Sequence, residues 1–209
     1  MTNKNRMLQG KLYCADDPDL SYEFKTCKGI LEEFNSTSFR DGKRRGYLIK
    51  QMFKKTGIDL HIEPPFYCDY GYNISIGQNF YASYDCILAD SAEITIGSSC
   101  ILGSRVIINT LDFPVDASVR NDELEYAKPV YIGDDVCIGS GVIINPGVTI
   151  GDDIVVYSGS VIFNDLASHG VYAGNPAVKI RDITDAERKI WKEKQTEYYR
   201  DADVSQQES

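Results

Sequence analysis

The sequence predicts a mainly-β chain wound as a parallel solenoid, and three observations carry that expectation. Residues 130–165 read as six consecutive hexads, VYIGDD VCIGSG VIINPG VTIGDD IVVYSG SVIFND. A period of six fits neither the 3.6-residue helix nor the two-residue strand alternation. It fits a chain that turns a corner every six residues. Next, one aliphatic position keeps phase through Val130, Val136, Val142, Val148 and Ile154, giving one inward side chain per flat. Finally, Gly133, Gly139 and Gly151 follow three residues later, where a corner asks for a tight turn or a positive φ.

From the N-terminus, residues 1–60 read as helical. Asp17-Pro18 opens a helix over 19–34 that lines up Leu20, Phe24, Cys27, Ile30 and Leu31, and Asn35-Ser-Thr-Ser breaks it. A second helix starts near Arg40, with Tyr47, Leu48, Met52 and Phe53 on one side and Gly57 as its stop. The solenoid follows over 61–181. Its first block begins at Glu63-Pro-Pro and reads ISIGQN FYASYD CILADS, then, after two extra residues, ITIGSS CILGSR VIINTL. Ile74, Phe80, Cys86, Ile94, Cys100 and Val106 are its inward residues, which makes Cys86 and Cys100 packing groups rather than reactive thiols. Residues 111–129, LDFPVDASVRNDELEYAKP, contain no hexad. They read as a structureless insertion in the repeat, of the kind that carries function. The second block then runs to about Asp165, and Ala173-Gly-Asn-Pro-Ala closes the solenoid. Residues 182–209 form a charged C-terminal helix with a capping box, Thr184 to Glu187, and with Trp191 packed on the coil beside Ile190 and Tyr198. The tail DVSQQES is expected to fray. Three hexads per coil give about 18 residues a turn, with neighbouring flats paired as parallel strands. Open flat faces favour burial against other copies.

Composition bounds the function. The hydrophobic fraction of 43% and charged fraction of 25% are those of an ordinary globular chain. A net charge of −9 without a dense basic patch argues against nucleic acid and anionic membranes as partners. The start, MTNKNRMLQGK, has no apolar core, so a cytoplasmic chain with reduced thiols is expected. None of the six cysteines forms a C-x-x-C pair, and no His/Cys/Asp cluster has ligand spacing, so no metal is expected.

GKLYCADDPDL, EPPFYCDYGYNISIGQNFYASYDC, the 111–129 loop, GVIINPGVTIGDD and AGNPAVKI together resemble the maltose/galactoside O-acetyltransferase branch of the hexapeptide-repeat acyltransferases, from about Gly10 to Arg181. The resemblance implies a left-handed parallel β-helix with an N-terminal helical hairpin. It also implies a homotrimer with sites between subunits, acetyl-CoA as co-substrate and a small sugar-like acceptor. In that family a loop His takes the acceptor proton, in a motif close to T-x-T-H-P-x-D. Here the segment is Thr110-Leu-Asp112-Phe113-Pro114-Val-Asp116, so Phe113 occupies the His position and has no proton-accepting atom.

The same resemblance places the donor side at Cys137, Ser140, Ser158, Asn164 and Arg181. Cys137 stands for an aromatic, Asn164 for a Lys, and Val178 for an Arg, while Arg181 and Lys179 remain as cations for the CoA phosphates. On the acceptor side Asp69, Ser83, Asp90 and Tyr126 match or stand near family positions. With no His on the loop, Asp112 and Glu125 are the candidate catalytic carboxylates. Asp112 serves only if burial raises its pKa, and otherwise it is a turn residue. Cys137 has no cationic neighbour in sequence, and His61 and His169 lie off the loop. Two other readings stay open on these substitutions. One is a relative turned to isomerisation, elimination or cyclisation in the same cleft, and the other is a non-catalytic trimeric binding protein.

Overall fold

A computed structural model describes residues 1–207. Each coil lays down three short strands and turns three corners. The first face stacks Phe66–Cys68, Cys86–Ala89, Ile107–Asn109, Ile143–Ile144 and Val161–Ile162. The second stacks Lys55–Thr56, Ile74–Ile76, Ile94–Ile96, Val130–Ile132 and Thr149–Ile150. The third runs from Leu60–Ile62 through Phe80–Ala82, Ile101–Leu102, Val136–Ile138 and Ile154–Val156 to Gly170–Gly174. Neighbours on each face are parallel. Only Ala177–Asp182 doubles back, antiparallel to Gly170–Gly174, and it closes the last coil.

Register preserves the hexad phase. Ile74 lies beside Ile94, Ile94 beside Val130, and Val136 beside Ile154. Side chains of one phase therefore stack into an unbroken apolar core, in which Ile74, Ile94, Val130, Val142 and Ile154 are fully buried. Each such burial is worth about 1.5–3 kcal/mol over exposure. Cys86 and Cys100 are buried in the same core.

The corner glycines do a different job from the one expected. Positive φ falls two residues later, on Asp135, Gly141 and Asp153, and not on Gly133, Gly139 and Gly151. The glycines are there because successive corners touch: a Cβ on Gly97 would stand 2.6 Å from the Gly133 carbonyl carbon. Gly97→Ala should therefore force two coils apart and cost about 2–3 kcal/mol. Chemical denaturation checks this, and an unchanged midpoint would contradict the stacking. Polar corner residues satisfy N–H groups of the preceding coil. The Asp134 Oδ1 accepts from the Ser98 N–H at 2.6 Å, and the Asp152 Oδ1 accepts from the Asp134 N–H at 2.8 Å.

Helix α1, Asn3–Leu8, falls in the segment expected to be helical, ahead of the two helices placed there, and buries Met7 in a small cluster with Tyr13, Leu20 and Tyr70. Helix α2, Pro18–Asn35, is opened by the Asp17 carboxylate, which accepts the Asp19 and Leu20 N–H groups, with Pro18 in the first turn. Helix α3, Gly42–Met52, buries Leu48, Ile49 and Met52, while Tyr47 is exposed. It stops at Phe53, whose backbone is extended. Gly57 is thus the first solenoid corner rather than a helix stop, and the coil already includes Lys55–Thr56.

The 111–129 segment is structured. Leu111–Asp112 pairs antiparallel with Leu124–Ala127, which pairs with Tyr13–Cys14, and helix α4, Ala117–Asn121, forms the tip. Two-residue strands carry no readable period, and Tyr13–Cys14 lies more than a hundred residues from its partner, so local pattern could not reveal them. Helix α5, Asp185–Gln207, starts with the expected capping box. Thr184 N–H donates to Glu187 Oε2 at 3.3 Å, and Glu187 N–H donates to Thr184 Oγ1 at 3.3 Å. Its Trp191 is 65 % exposed, and Ile190 and Tyr198 are exposed too, so the expected packing of Trp191 is not observed. Ion pairs of Arg188 with Asp153 and of Arg181 with Glu187 tie the helix down instead. The expected fraying covers 203–209. Residues 203–207 continue the helix, and Glu208 and Ser209 lie outside the described residues. Among the described residues no helix is long and apolar enough to cross a membrane.

Candidate active site

The corner between the first and second faces is built on Asp90. This residue is 0 % exposed. Its Oδ1 accepts the Asp69 and Tyr70 N–H groups at 2.9 Å each, and its Oδ2 accepts the Asn73 N–H at 3.4 Å. Asn73 returns a bond from Nδ2 to the Asp90 carbonyl at 2.7 Å. Burial pushes the Asp90 carboxyl up to about 7, against the pull of those backbone donors. Asp90 is therefore placed under the surface, shaping the 69–73 turn. One coil on, Thr110 repeats the device, donating to the Ala89 carbonyl at 2.7 Å and accepting the Ala92 N–H at 2.9 Å. The turn aims the Asp69 carboxylate outward, where Lys28 Nζ pairs with it at 3.2 Å.

Above this corner lies a pocket of about 370 Å³, lined by Phe24, Lys25, Asp69, Tyr70, Ser91 and Glu125 among others. Glu125 comes from Leu124–Ala127 and is half-buried. Its Oε1 accepts the Tyr13 hydroxyl at 2.5 Å. The other oxygen has no hydrogen-bond partner among the described residues. Burial, then the Asp69 charge, lift the Glu125 carboxyl above its ordinary range, while the Tyr13 bond opposes them. A second pocket of about 320 Å³, with Asp16, Phe113, Arg120 and Glu123 in its wall, shares Ala15 and Glu125 with the first. Glu125 is thus the partition between two cavities, and Phe113 is exposed on the outer one.

Asp112 sits differently. Its side chain is 41 % exposed, and both oxygens are engaged. Oδ1 accepts the Phe113 N–H at 2.9 Å; Oδ2 accepts the Tyr126 hydroxyl at 2.8 Å and lies 3.7 Å from Lys128 Nζ. Tyr126 is thereby tied to Asp112 rather than aimed into the pocket.

The remaining candidates lie elsewhere on the chain. Asn164, after Val161–Ile162, shares the Asp69 edge. Ser83, Ser140 and Ser158 line the edge between the third and first faces, where the Ser83 and Ser104 hydroxyls are 2.9 Å apart. Cys137 faces outward from Val136–Ile138, and burial raises its thiol pKa. Arg181 is on the closing strand and is engaged by Glu187 at 2.6 Å. One chain therefore holds Asp69, Glu125 and Asn164 on one edge and the three serines on another, and it does not bring the two together. His61 stacks on Tyr81 and bonds Glu63 at 2.9 Å; His169 bonds Asp153 at 2.9 Å; neither lines either pocket. Among the described residues no group is arranged to hold a metal ion. Tyr13 and Tyr70 were not singled out in the sequence, and Phe24 was read only as part of a helix stripe, because their places in the pocket come from tertiary packing.

Known proteins share this architecture. Residues 6–57 match the family described as the maltose acetyltransferase hexapeptide capping motif, and residues 129–164 match bacterial transferase hexapeptide (six repeats). A putative acetyltransferase of Saccharomyces cerevisiae is 42% identical over 180 residues, which are 86% of this chain and 92% of that protein. The crystal structure of a maltose O-acetyltransferase from Clostridium difficile superposes with a TM-score of 0.87 at 43% identity, covering 88% of this chain and 99% of that one. A galactoside acetyltransferase in complex with coenzyme A superposes with a TM-score of 0.87 at 37% identity, covering 90% and 94%. With the solenoid, the capping helices and these relatives in agreement, the chain belongs to the maltose/galactoside O-acetyltransferase family of hexapeptide-repeat proteins.

Proposed function

We propose that this protein is an acetyl-CoA-dependent O-acetyltransferase of a small, sugar-like hydroxylated acceptor, and that Glu125 takes the acceptor proton. The observation that carries the reading is the state of that carboxylate. It is half-buried, lifted in pKa, tied through one oxygen and open to the pocket through the other. Such a group is a suitable general base near neutral pH. Asp112 lacks these features, since it is more open and both its oxygens are engaged.

The acceptor lies against the partly exposed Phe24 ring, beside the nearly buried Tyr70, with Asp69 accepting a neighbouring hydroxyl. Glu125 removes the proton as the acceptor oxygen attacks the thioester carbonyl of acetyl-CoA. The tetrahedral intermediate collapses, the C–S bond breaks, and Glu125 returns the proton to the departing thiolate. Products are the O-acetyl ester and CoA thiol. The donor runs along the Ser83, Ser140 and Ser158 edge past Cys137, with Arg181, and Asn164 on the Asp69 edge of a neighbouring copy, toward its phosphates. One chain keeps the serine edge apart from the Asp69 edge, which supports a homotrimer with sites assembled between copies. The six free thiols suit the reducing cytoplasm.

Acceptor-dependent release of CoA thiol from acetyl-CoA, with maltose and a galactoside as acceptors, tests the reading; no release with either would overturn it. Phe113→His should change kcat by less than about tenfold, because a working base is already present. A gain of about a hundredfold or more, the size of a missing general base, would show that the wild type lacks one.

A further inference from the structure

The Tyr13 hydroxyl is donated to the carboxylate assigned above as the base, and the inference drawn from this contact rests on that assignment. We infer that Tyr13 is a positioning residue of the site: it fixes Glu125 Oε1, so that the N-terminal segment decides which carboxylate oxygen meets the acceptor. Three features of the structure carry this. Tyr13 and Glu125 are register partners in the Tyr13–Cys14 and Leu124–Ala127 ladder, so their side chains leave the sheet on one side. The hydroxyl reaches Oε1 at 2.5 Å. The ring is 1 % exposed, packed with Met7, Leu20 and Tyr70, and cannot swing away.

The segment bearing Tyr13 is itself clamped. Asn3 Oδ1 accepts the Cys14 N–H at 3.1 Å, and Asn3 Nδ2 donates to Asp17 Oδ2 at 3.0 Å. Asn3 therefore links α1, the strand and the cap of α2, and all three converge on the base. The Tyr13 hydroxyl also favours the ionised carboxylate. Against it stand burial and the Asp69 charge, and beside them lies Tyr70, which itself feels Asp69, Glu125 and the buried Asp90 of the corner. Helix α2 contributes Lys25, and Lys28 already sits on Asp69. The outer pocket contributes Asp16, Arg120 and Glu123.

Tyr13→Phe keeps the ring and removes only the donor. Its expected effect is an upward move of the Glu125 titration by about one pH unit, with the acidic limb of kcat/KM moving equally. The experiment is a carbon-13 NMR titration of the glutamate side-chain carboxyls in wild type and Tyr13→Phe. Glu125→Gln identifies the resonance. In parallel, pH profiles of thiol release are taken from acetyl-CoA with methyl β-galactoside and with maltose. Movement of both the titration and the rate limb supports the inference. A purely structural role would lower activity or stability without moving either. An unmoved Glu125 titration overturns the inference whatever the turnover. A moved titration in a protein without acceptor-dependent release supports the Tyr13–Glu125 coupling and overturns the transferase reading alone.

Discussion

Glu125→Gln is expected to lower kcat for acetyl transfer by about a thousandfold while changing the acceptor KM little. The amide preserves shape, and its oxygen can still accept the Tyr13 hydroxyl found at Oε1. What it loses is the ability to take a proton, a step worth about 10²–10⁴ in rate. Stability should not fall, because burial already disfavours the charged form of this side chain. Steady-state thiol release against acceptor concentration, with a parallel thermal melt, separates these terms. A loss below about tenfold would assign the proton to another group, and Asp112 would be the next carboxylate to replace.

Asp90→Ala should be the most damaging single change at this corner, at about 3–5 kcal/mol. It strands the buried N–H groups of Asp69, Tyr70 and Asn73 and leaves a small cavity. Asp90→Asn keeps an acceptor oxygen and should cost much less. The pair also tests the charge. The folded pKa, about 7, is raised above the unfolded 3.8. The stability contributed by the protonated form is therefore fully present below the unfolded value and is lost as pH rises through about 7. Wild type should gain stability from this group between pH 7 and pH 4, and Asp90→Asn should not. Urea denaturation at the two pH values measures the difference. Equal pH dependence in the two proteins would remove Asp90 as its source.

The solenoid was legible because each hexad repeats one steric demand: an aliphatic inward residue, then a residue small enough for the next coil to approach. Val130 through Ile154 state that demand several times over, so one irregular hexad does not hide it. Helix α2 was legible for a similar reason, with Asp17-Pro18 at its start and Leu20, Cys27 and Leu31 along one face. On helix α3 the expected Leu48 and Met52 are buried, as is Phe53 just beyond it, but Tyr47 is exposed, and Ile49 and Arg45, the latter satisfied by Glu63 at 3.1 Å, are buried instead. The candidate site was legible only as a set of residue types. Asp69, Asp90, Asp112 and Glu125 look alike in sequence, and their contacts separate them. Asp90 lies beneath the turn, Asp112 is saturated, and Glu125 is held at one oxygen by a tyrosine more than a hundred residues away. Nothing local to Tyr13 announces that pairing, because strand register across so long a loop is a tertiary property. Trp191 failed in the opposite direction. Its apolar character suggested burial, but the helix that carries it is tethered by Arg188 and Glu187 and leaves the indole open.

Formate added to Glu125→Ala tests most directly whether a carboxylate takes the acceptor proton. The truncation leaves space at the shared wall of the two pockets, where a small carboxylate can stand in for the lost group. Thiol release from acetyl-CoA with a galactoside or maltose should be nearly absent in this variant and should rise with formate concentration. Undiminished transfer by Glu125→Ala without formate would contradict a catalytic role for Glu125.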